Sequence, residues 1–593
     1  MKKALSLVLV LVLSLALLSA CGDGESENQS GNASTGEATV LEFSTETVNY
    51  FNESGKSNYK IVRPDENEAM FTVSGNVFTA MKEKLQLAIQ NTADTSDGAD
   101  QYEILIGGTN RTESKLAYDY LVQNVGGRFD DYIICTIGKK IVINGLSDGA
   151  IANAAKYFLD NFISGHTVEG GIKYIHKTEG NFTDITVNGT NISKFTMVRP
   201  RFNLSYLAQL EMEKIYEYVK QTTGFEVEIV DDHLPSEGDF EIVVGNANRK
   251  DVKVFDKNDT DSYSVVITDK KVYLNGGSTY ATAMAVSEFL EMLKDGKAEN
   301  ADTVSNGSYA SVIGKYDTAT YYTPTWLEDF KATELDTTKW MHVPWSADGQ
   351  NGKKSRRSEE TYTFDGEYFT ITPYQTETEY HGGMIRTHRD MCYIYGYVEE
   401  SAKIPTAKGF WTALWTGDTT GFGMFGDEQA AKEQILGNEI DINENFGANY
   451  VAANCHSWPT DIGEQMGYKH TSCDGNEFSN DKKYYPDKGV DLHDDFHTYG
   501  MMWTPEYMSF TCDGRVFFTY DTTATDQDVL TFNQKMHLTL SMAVGLKSGA
   551  TSIGLATEDD WANKSTLVVD YVHLYQLQDG KSVLDLRENT YGN

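Results

Sequence analysis

The pattern of apolar and polar residues changes character near residue 314. Before that point, short β-branched runs alternate with stretches of helical period, and we predict helices over Ala69–Gln90 and Leu207–Thr222. The runs EILIG and EIVVG predict short buried strands, and the paired runs around Gly138 and Asp269 predict hairpins. This alternation of strands and helices is typical of α/β domains.

The same order of elements occurs twice in this part of the chain. Arg111 closes the turn after EILIG in the first copy, and Arg249 closes the turn after EIVVG in the second copy. We therefore predict two duplicated α/β domains, residues 41–185 and 186–313. They loosely resemble the non-catalytic N-terminal α/β domains that precede the catalytic domain in α-glucuronidases and β-hexosaminidases.

The role of the two repeats is open at this stage. Arg111 and Arg249 could bind a carboxylate or a sugar hydroxyl, or they could pair locally within the turn. All eight tryptophans lie between Trp326 and Trp561, so the repeats lack the aromatic platform that best suits a sugar ring. We interpret the repeats as a spacer with at most weak glycan contacts.

From about Tyr316 onwards, helical periods nearly vanish and short alternating runs with frequent turn signals dominate. This pattern predicts an all-β jelly-roll sandwich of the concanavalin-like type over residues 314–593. The chain is thus predicted to be multidomain, with two α/β domains followed by one β-sandwich.

One predicted strand of the sandwich carries three acids, Glu439, Asp441 and Glu444. On a strand, Glu439 and Asp441 share a face, whereas Ile440 and Ile442 point to the other. Glu444 would fall on the wrong face unless one extra residue, a β-bulge near Asn443, restores it. Two such carboxylic acids on either side of a glycosidic bond, one as nucleophile and one as acid/base, are what retaining glycoside hydrolysis needs. The alternative is a solvent-exposed acidic strand without chemistry.

The region 320–577 resembles glycoside hydrolase family 16, on its laminarinase-like branch with a bulged ExDxxE strand. The collinear motifs are GMIRT from Gly383, YGYVE from Tyr395, GFWTALW from Gly409, DFHTY from Asp495, WTP from Trp503 and VDYV from Val569. Two departures concern the sugar-contacting residues: Ile435-Leu436-Gly437 stands where the family often has a tryptophan, and SMAVGL from Ser541 lacks an asparagine.

The resemblance implies roles for individual residues. It implies Glu439 as nucleophile, Asp441 as assisting acid and Glu444 as acid/base, on the concave face of the jelly roll. Five further residues are expected to bind substrate or line the cleft: Arg386, Trp411, Trp415, His456 and Trp458. For the tryptophans, burial in the core is the alternative. No cofactor is expected to be required, although Asp570 matches a position that helps to bind a structural Ca²⁺ in several relatives.

The N-terminus predicts export. Lys2 and Lys3 precede a short apolar run, so residues 1–20 are expected to be a signal peptide. The sequence Leu18-Ser19-Ala20-Cys21 resembles the lipobox of bacterial lipoproteins, which implies lipidation of Cys21. Residues 21–40 are predicted to be a flexible tether, which would hold the protein at the outer face of the cell membrane. An ordinary signal peptide with an incidental cysteine is the alternative.

The net charge of the chain limits the classes of molecule that the protein is expected to bind. Acidic residues outnumber basic ones by 87 to 50, giving a net charge of −37, which argues against nucleic acids and anionic lipid surfaces. A neutral β-glucan is favoured over sulfated or uronate-rich polymers. The sequence therefore predicts a retaining endo-acting hydrolase of β-1,3 or mixed β-1,3/1,4 glucan. Three alternatives remain: a non-hydrolytic glycan-binding lipoprotein, a transglycosylase and a β-galactan hydrolase of the same fold.

Cysteine usage adds little to this picture. Five cysteines remain beyond Cys21, and none lies in a CxxC pair, so the sequence predicts no zinc or iron–sulfur site and no particular disulfide.

Overall fold

The computed structural model describes residues 41–51, 56–65, 67–95, 102–235, 239–252, 255, 259–260, 262–306, 322–388, 391–418, 436–459, 464–465, 469–473, 482–504, 506–522, 532, 536–547 and 553–577. The predicted signal peptide (residues 1–20), the tether (residues 21–40) and Cys21 lie outside these residues. No helix in the described part of the chain is long and apolar enough to cross a membrane. The chain divides into two compact units, one with residues up to Ile185 and 216–227, the other with residues 186–215 and 228–593.

The first unit is an α/β domain. Its helices and strands are β1 (Val48–Asn49), β2 (Lys56–Arg63), α1 (Glu68–Leu85), β3 (Ala88–Ala93), β4 (Glu103–Ile106), α2 (Thr112–Tyr120), β5 (Tyr132–Ile137), β6 (Lys140–Gly145), α3 (Asp148–Asn161), β7 (Thr167–Val168) and β8 (Lys173–His176). Six strands form a mixed sheet in the order β3-β2-β4-β6-β5-β8. β5 and β6 are the hairpin expected around Gly138.

The predicted helix Ala69–Gln90 is too long at its C-terminal end. α1 ends at Leu85, and Gln86 adopts a left-handed backbone conformation (φ 55°) that stops the helix. The residues beyond it enter β3, where Ile89 is buried and its neighbours are not. Leu87 and Ile89 are buried at a spacing of two residues, which is a strand period that the prediction of one long helix overlooked.

Another α/β layer follows, and it belongs to the second unit except for residues 216–227. Its elements are β9 (Thr186–Val187), β10 (Thr190–Asn191), β11 (Thr196–Arg199), α4 (Tyr206–Thr223), β12 (Ile229–Asp231), β13 (Glu241–Val244), β14 (Ser262–Ile267), β15 (Lys271–Gly276), α5 (Thr279–Lys294) and β16 (Ala301–Asn306). The sheet order is β12-β11-β13-β15-β14-β16, the same succession along the chain as in the first unit. α4 matches the predicted helix Leu207–Thr222 within one residue at each end.

The repeated arginines pair locally. Arg111 lies 3.2 Å from Glu103 and also donates to the carbonyl of Asp94. Arg249 lies 3.1 Å from Glu241 and donates to the carbonyl of Asp232. Of the two alternatives for these arginines, the structure shows the local pairing, which ties each turn to the start of its own strand.

The rest of the second unit is a β-sandwich. Its elements are β17 (Tyr322–Glu328), β18 (Trp340–His342), β19 (Ser346–Asp348), β20 (Lys354–Arg357), β21 (Tyr362–Phe364), β22 (Phe369–Ile371), β23 (Tyr374–Gln375), β24 (Glu379–Thr387), β25 (Gly396–Lys403), β26 (Phe410–Asp418), β27 (Leu436–Asn445), β28 (Val451–Pro459), β29 (Thr471–Ser472), β30 (Lys483–Tyr484), β31 (His497–Trp503), β32 (Tyr507–Cys512), β33 (Arg515–Asp521), β34 (Met536–Val544), the short helix α6 (Glu558–Ala562) and β35 (Leu567–Leu577).

Two mainly antiparallel sheets form the sandwich. The front sheet runs β19-β20-β24-β34-β26-β27-β28-β29, with β18 and β23 also on β24 and β30 on β28. The back sheet runs β21-β22-β35-β25-β31-β32-β33, with β17 also on β35. Their inner faces share one core cluster, which includes Leu414, Ile440, Val398 and Val572. This is the jelly-roll-like fold expected from the alternating pattern.

The α/β layer of the second unit packs directly on the back sheet. Leu204, Leu207 and Ala208 belong to the same core cluster as the sandwich. Arg515 on β33 makes two bonds, of 2.7 and 2.6 Å, to the carboxylate of Asp231 at the end of β12. This layer and the sandwich therefore share a continuous core.

Candidate active site

The site is built around an irregularity in β27. Against β26, the pairing shifts between Leu414 and Trp415, so that Trp415 faces Asp441 while Leu414 faces Asn443. Against β28, the pairing shifts between Asp441 and Glu444. Ile442 is thus the extra residue of a β-bulge. The bulge that the carboxylate spacing predicts near Asn443 is confirmed.

The bulge puts the three acids on one face. Glu439, Asp441 and Glu444 lie opposite Gly417, Trp415 and Ala413 of β26, which are alternate residues on the outer face of that strand. Ile440 and Ile442 are fully buried in the core on the other side. The apolar residues thus anchor the strand, and the acids project away from the core.

Residues that pair across neighbouring strands extend the site over the front sheet. Asp441 pairs with Trp415, Trp415 with Thr539 of β34, and Thr539 with Arg386 of β24. His456 of β28 pairs with Glu439, and the same rung continues through Gly417 to His537. These pairings place Arg386, Trp415 and His456 on the face of the carboxylates.

Glycine is required at position 417. A Cβ atom there would lie 2.9 Å from the imidazole of His537 and 3.3 Å from the indole of Trp415. The small residue allows both rings to come together beside Glu439, where they contact each other edge to face with centroids 5.8 Å apart.

Polar contacts orient the carboxylates. The indole N–H of Trp411 donates to Glu444 Oε1 over 3.1 Å. Nε2 of His456 lies 3.3 Å from Asp441 Oδ2. Ligand atoms of Glu439, Asp441 and His456 all lie within 4.8 Å of one another, so these two acids and the imidazole form one compact group.

The tryptophans differ in exposure. Trp415 is 9% exposed, its N–H donates to Ser541 Oγ, and it packs with Val343, Met384 and Ala413 in a small apolar patch. Trp411 is partly exposed and lies against Phe446, with ring centroids 5.2 Å apart. Trp411 is therefore open to a ligand, whereas Trp415 forms the floor of the patch.

Beyond Glu439, an aromatic stack extends the site. His470 stacks on Trp458 with centroids 3.7 Å apart, and His456 Nδ1 lies 2.9 Å from His470 Nε2. His470 is a residue that the sequence analysis missed, since its segment carries no periodic pattern. Together Trp458 and His470 present a flat aromatic surface beside the carboxylates.

His537 was also missed, although the alternation in β34 could have found it. His537, Thr539 and Ser541 are the alternate residues that face the site. Burial, with the positive charge of Arg386 as the second cause, holds the pKa of His537 well below its ordinary value. This imidazole is therefore neutral at physiological pH, and it contributes shape without charge. Burial likewise lowers the pKa of Arg386.

The remaining predicted site residue, Asp570, lies elsewhere. It is on β35 in the back sheet, where it lines a cavity of about 400 Å³ together with Asp329, Lys331 and His573. The cavity is bounded on its other side by loops of the α/β layer, including Asn246. Asp570 is therefore remote from the carboxylates of β27.

Residues 324–577 match the family model of the GH16 domain of β-porphyranases A–D. Among known proteins, a glucan endo-1,3-β-glucosidase A1 of Niallia circulans is 24% identical over 285 residues, which cover 43% of this chain and 38% of that protein. A β-glucanase of Rhodothermus marinus is 27% identical over 211 residues, covering 34% of this chain and 65% of that protein. The chain thus spans less than two thirds of the length of either relative.

A solved structure can also be aligned with this part of the chain. The laminarinase of Rhodothermus marinus aligns with 22% identity and a TM-score of 0.33, covering 44% of this chain and 99% of that one. The family match and the related sequences thus support a relationship of residues 324–577 to glycoside hydrolase family 16.

Proposed function

We propose that the protein is a retaining, endo-acting β-glucan hydrolase that cleaves β-1,3 or mixed β-1,3/1,4 linkages. The observation that carries this proposal is the bulge in β27, which puts Glu439, Asp441 and Glu444 on one face beside partly exposed aromatic rings. The glucanase names of the related proteins support a glucan as substrate.

The proposed reaction is a double displacement. Glu439 attacks the anomeric carbon while Glu444 gives its proton to the leaving glycosidic oxygen, so that a glycosyl ester forms as the first bond breaks. Glu444 then takes a proton from water, whose oxygen attacks the anomeric carbon and releases Glu439. Asp441 and His456, whose ligand atoms lie within 4.8 Å of those of Glu439, orient the nucleophile in this reaction.

The experiment is a comparison of polymers with sizing of the products. Wild type should release short oligosaccharides from laminarin or lichenan, and Glu439→Gln should abolish turnover while leaving glucan binding intact. A wild type that binds glucan without cleaving it would support the glycan-binding alternative. With a defined β-glucan oligosaccharide as substrate, products longer than that oligosaccharide would support transglycosylation. Absence of cleavage and binding for every β-glucan would refute the proposal.

A polymer with anionic substituents is the second candidate, and Arg357 favours it. Arg357 on β20 pairs with Gly382, two residues from Met384 on the same face of β24, and its guanidinium lies 4.7 Å from the ring of Trp345. Its Nε and Nη1 atoms are buried and have no hydrogen-bond partner among the described residues. Burial lowers its pKa to about 10, so it stays charged at neutral pH.

A charged group of this kind suits a sulfate or carboxylate on a sugar. The family model for β-porphyranases points in the same direction, whereas the net charge of −37 points to a neutral polymer. Porphyran and agarose therefore belong in the same panel as laminarin and lichenan. Cleavage of porphyran alone, lost in Arg357→Met, would favour this second candidate over the glucan.

Anchoring at the outer face of the cell membrane is part of the proposal. It is supported by the lipobox-like sequence ending at Cys21 and the polar residues 22–40. Cys21→Ser should move the protein from the membrane fraction to the soluble fraction, and retention in the membrane fraction would refute lipid anchoring there.

The side chains around Asp570 fit a calcium ion poorly. His573 Nε2 lies 2.8 Å and Lys331 Nζ 3.6 Å from the carboxylate of Asp329, so the second acid of that cavity already has cationic partners. Among the described residues, no group of three or more carboxylate, imidazole or thiol ligands includes Asp570. We assign no step to calcium, and a structural ion stays a prediction that melting temperatures with calcium and with a chelator would test.

A further inference from the structure

The bulge of β27 is held from behind by a residue of the other sheet. Glu400 lies on β25 in the back sheet and is 1% exposed. Its Oε1 accepts a hydrogen bond from the side-chain amide of Asn443. Asn443 stands between Asp441 and Glu444, in the segment where the pairing with β28 shifts. One hydrogen bond thus joins the two sheets at the irregular point of the site-bearing strand.

We propose that Glu400 is a positioning residue, which fixes the β27 bulge through Asn443 and thereby sets the place of Glu444 relative to Glu439. The inference rests on the proposed glycosidase function, because it concerns the spacing of the two carboxylates. It adds a residue from the opposite side of the sandwich, which does not touch substrate, to the machinery of that site.

The bulge is the natural place for such a restraint. The extra residue Ile442 breaks the regular pairing of β27 with its two neighbours, so the ladder alone specifies this segment less strictly. Asn443 pairs with Leu414 on β26, and its side chain points into the core. A directional bond at this position selects one arrangement of the backbone between Asp441 and Glu444.

Packing does not account for a polar pair here. The surrounding cluster is apolar, with Ile440, Ile442 and Val398 fully buried beside it. Burial raises the pKa of Glu400 to about 8, so the carboxyl is protonated at neutral pH. Oε2 has no hydrogen-bond partner within the described part of the chain. An apolar pair of the same volume would cost less to bury, which indicates a role in geometry.

The neighbours of Glu400 are uncharged at neutral pH. Tyr499 on β31 and Val572 on β35 lie directly opposite it in the back sheet. Burial raises the pKa of Tyr499 well above its ordinary value, and the same holds for Tyr484 and Cys512 near it. Asp513, an acid that acts on Tyr499, pairs with His497 over 2.7 Å. Asn443 is therefore the polar group that gives the buried carboxyl its direction.

The test compares three substitutions in the full chain. Glu400→Gln keeps an acceptor for Asn443, and its kcat should stay within about threefold of wild type. Glu400→Leu removes the acceptor, and its kcat should fall at least about tenfold with KM within about threefold, because the carboxylates are misplaced while the sugar-contacting surface remains. Val398→Ala is the control, since Val398 is a fully buried apolar residue of the same strand, whose side chain cannot hydrogen-bond to Asn443.

Two outcomes would overturn the proposal. One is a folded Glu400→Leu protein with wild-type kcat. The other is a loss of kcat in Val398→Ala as large as in Glu400→Leu at a similar drop in melting temperature, which would mean that general loosening of the core is responsible.

A wild type that is inactive on every polymer would refute the proposed function without refuting the contact between Glu400 and Asn443. In that case, the melting temperatures of Glu400→Leu, Asn443→Leu and the double variant decide. Each single change leaves one buried polar group without its partner, so the double variant should be more stable than the sum of the two losses predicts. Additive losses would show that the two residues do not act together.

Discussion

At the scale of single residues, the hydrogen bond from Trp411 restrains Glu444, the proposed acid/base. Trp411→Phe keeps an aromatic ring against Phe446 and removes the indole N–H. A lost hydrogen bond to a carboxyl group of this kind is worth about 1–2 kcal/mol, so kcat should fall roughly tenfold with little change in KM. Steady-state kinetics on the preferred polymer measure both. A fall in KM alone would contradict the orienting role.

Glu400 also makes stability depend on pH. Its pKa is about 8 in the folded protein against 4.5 as the ordinary value, so between these pH values the folded state holds a proton that the unfolded chain releases. Stability contributed by this group is therefore full below about pH 4.5 and falls as pH rises to about 8, by at most about 1.4 kcal/mol per unit. Glu400→Gln removes the dependence. Its melting temperature should match wild type near pH 4.5 and exceed it near pH 8, and parallel curves would contradict this.

At the scale of elements, the number of residues between the acids of β27 decides which side chains face the site. Deleting Ile442 removes the bulge but leaves Glu439, Asp441 and Glu444 on one face, whereas deleting Ile440 turns Glu439 towards the core. Both deletions remove one fully buried isoleucine, so they are matched in lost packing. Turnover should remain measurable without Ile442 and fall below detection without Ile440. Equal activity of the two variants would show that the alternation of side chains along β27 does not determine which acids reach the site.

The same scale shows what the sequence could and could not predict. The bulge follows from the spacing of the acids and the isoleucines between them, because period two admits no other way to join Glu444 to Glu439. The end of α1 was misplaced because Leu85, Leu87 and Ile89 fit both a helix and a strand over so short a stretch. The bond between Glu400 and Asn443 joins the two sheets, and no local pattern reports such a contact.

At the scale of the whole molecule, described residues on both sides of the boundary predicted at residue 314 belong to one hydrophobic core. Residues of the α/β layer enter the sandwich cluster, Tyr280 stacks on Tyr575, and the backbone N–H of Asn203 donates to Asp513 over 2.7 Å. Sequence periodicity reports which residues are buried but not which domain buries them. The spacer interpretation therefore omitted a direct structural contact between this layer and the back sheet.

This contact predicts the behaviour of an isolated sandwich. A chain beginning at residue 314 would expose the back-sheet surface that Leu204 and Leu207 cover, and it would leave Arg515 without Asp231. Buried apolar area is lost, and so is the ion pair in which Arg515 Nη2 contacts both carboxylate oxygens of Asp231. The truncated chain should therefore aggregate or melt well below the full chain. Scanning calorimetry and gel filtration measure both effects. In the full chain, Arg515→Met should lower the melting temperature while leaving KM unchanged, since β33 lies in the sheet that does not carry the carboxylates. A truncated chain with the melting temperature and the activity of the full protein would show that the sandwich is independent of the layer packed against it.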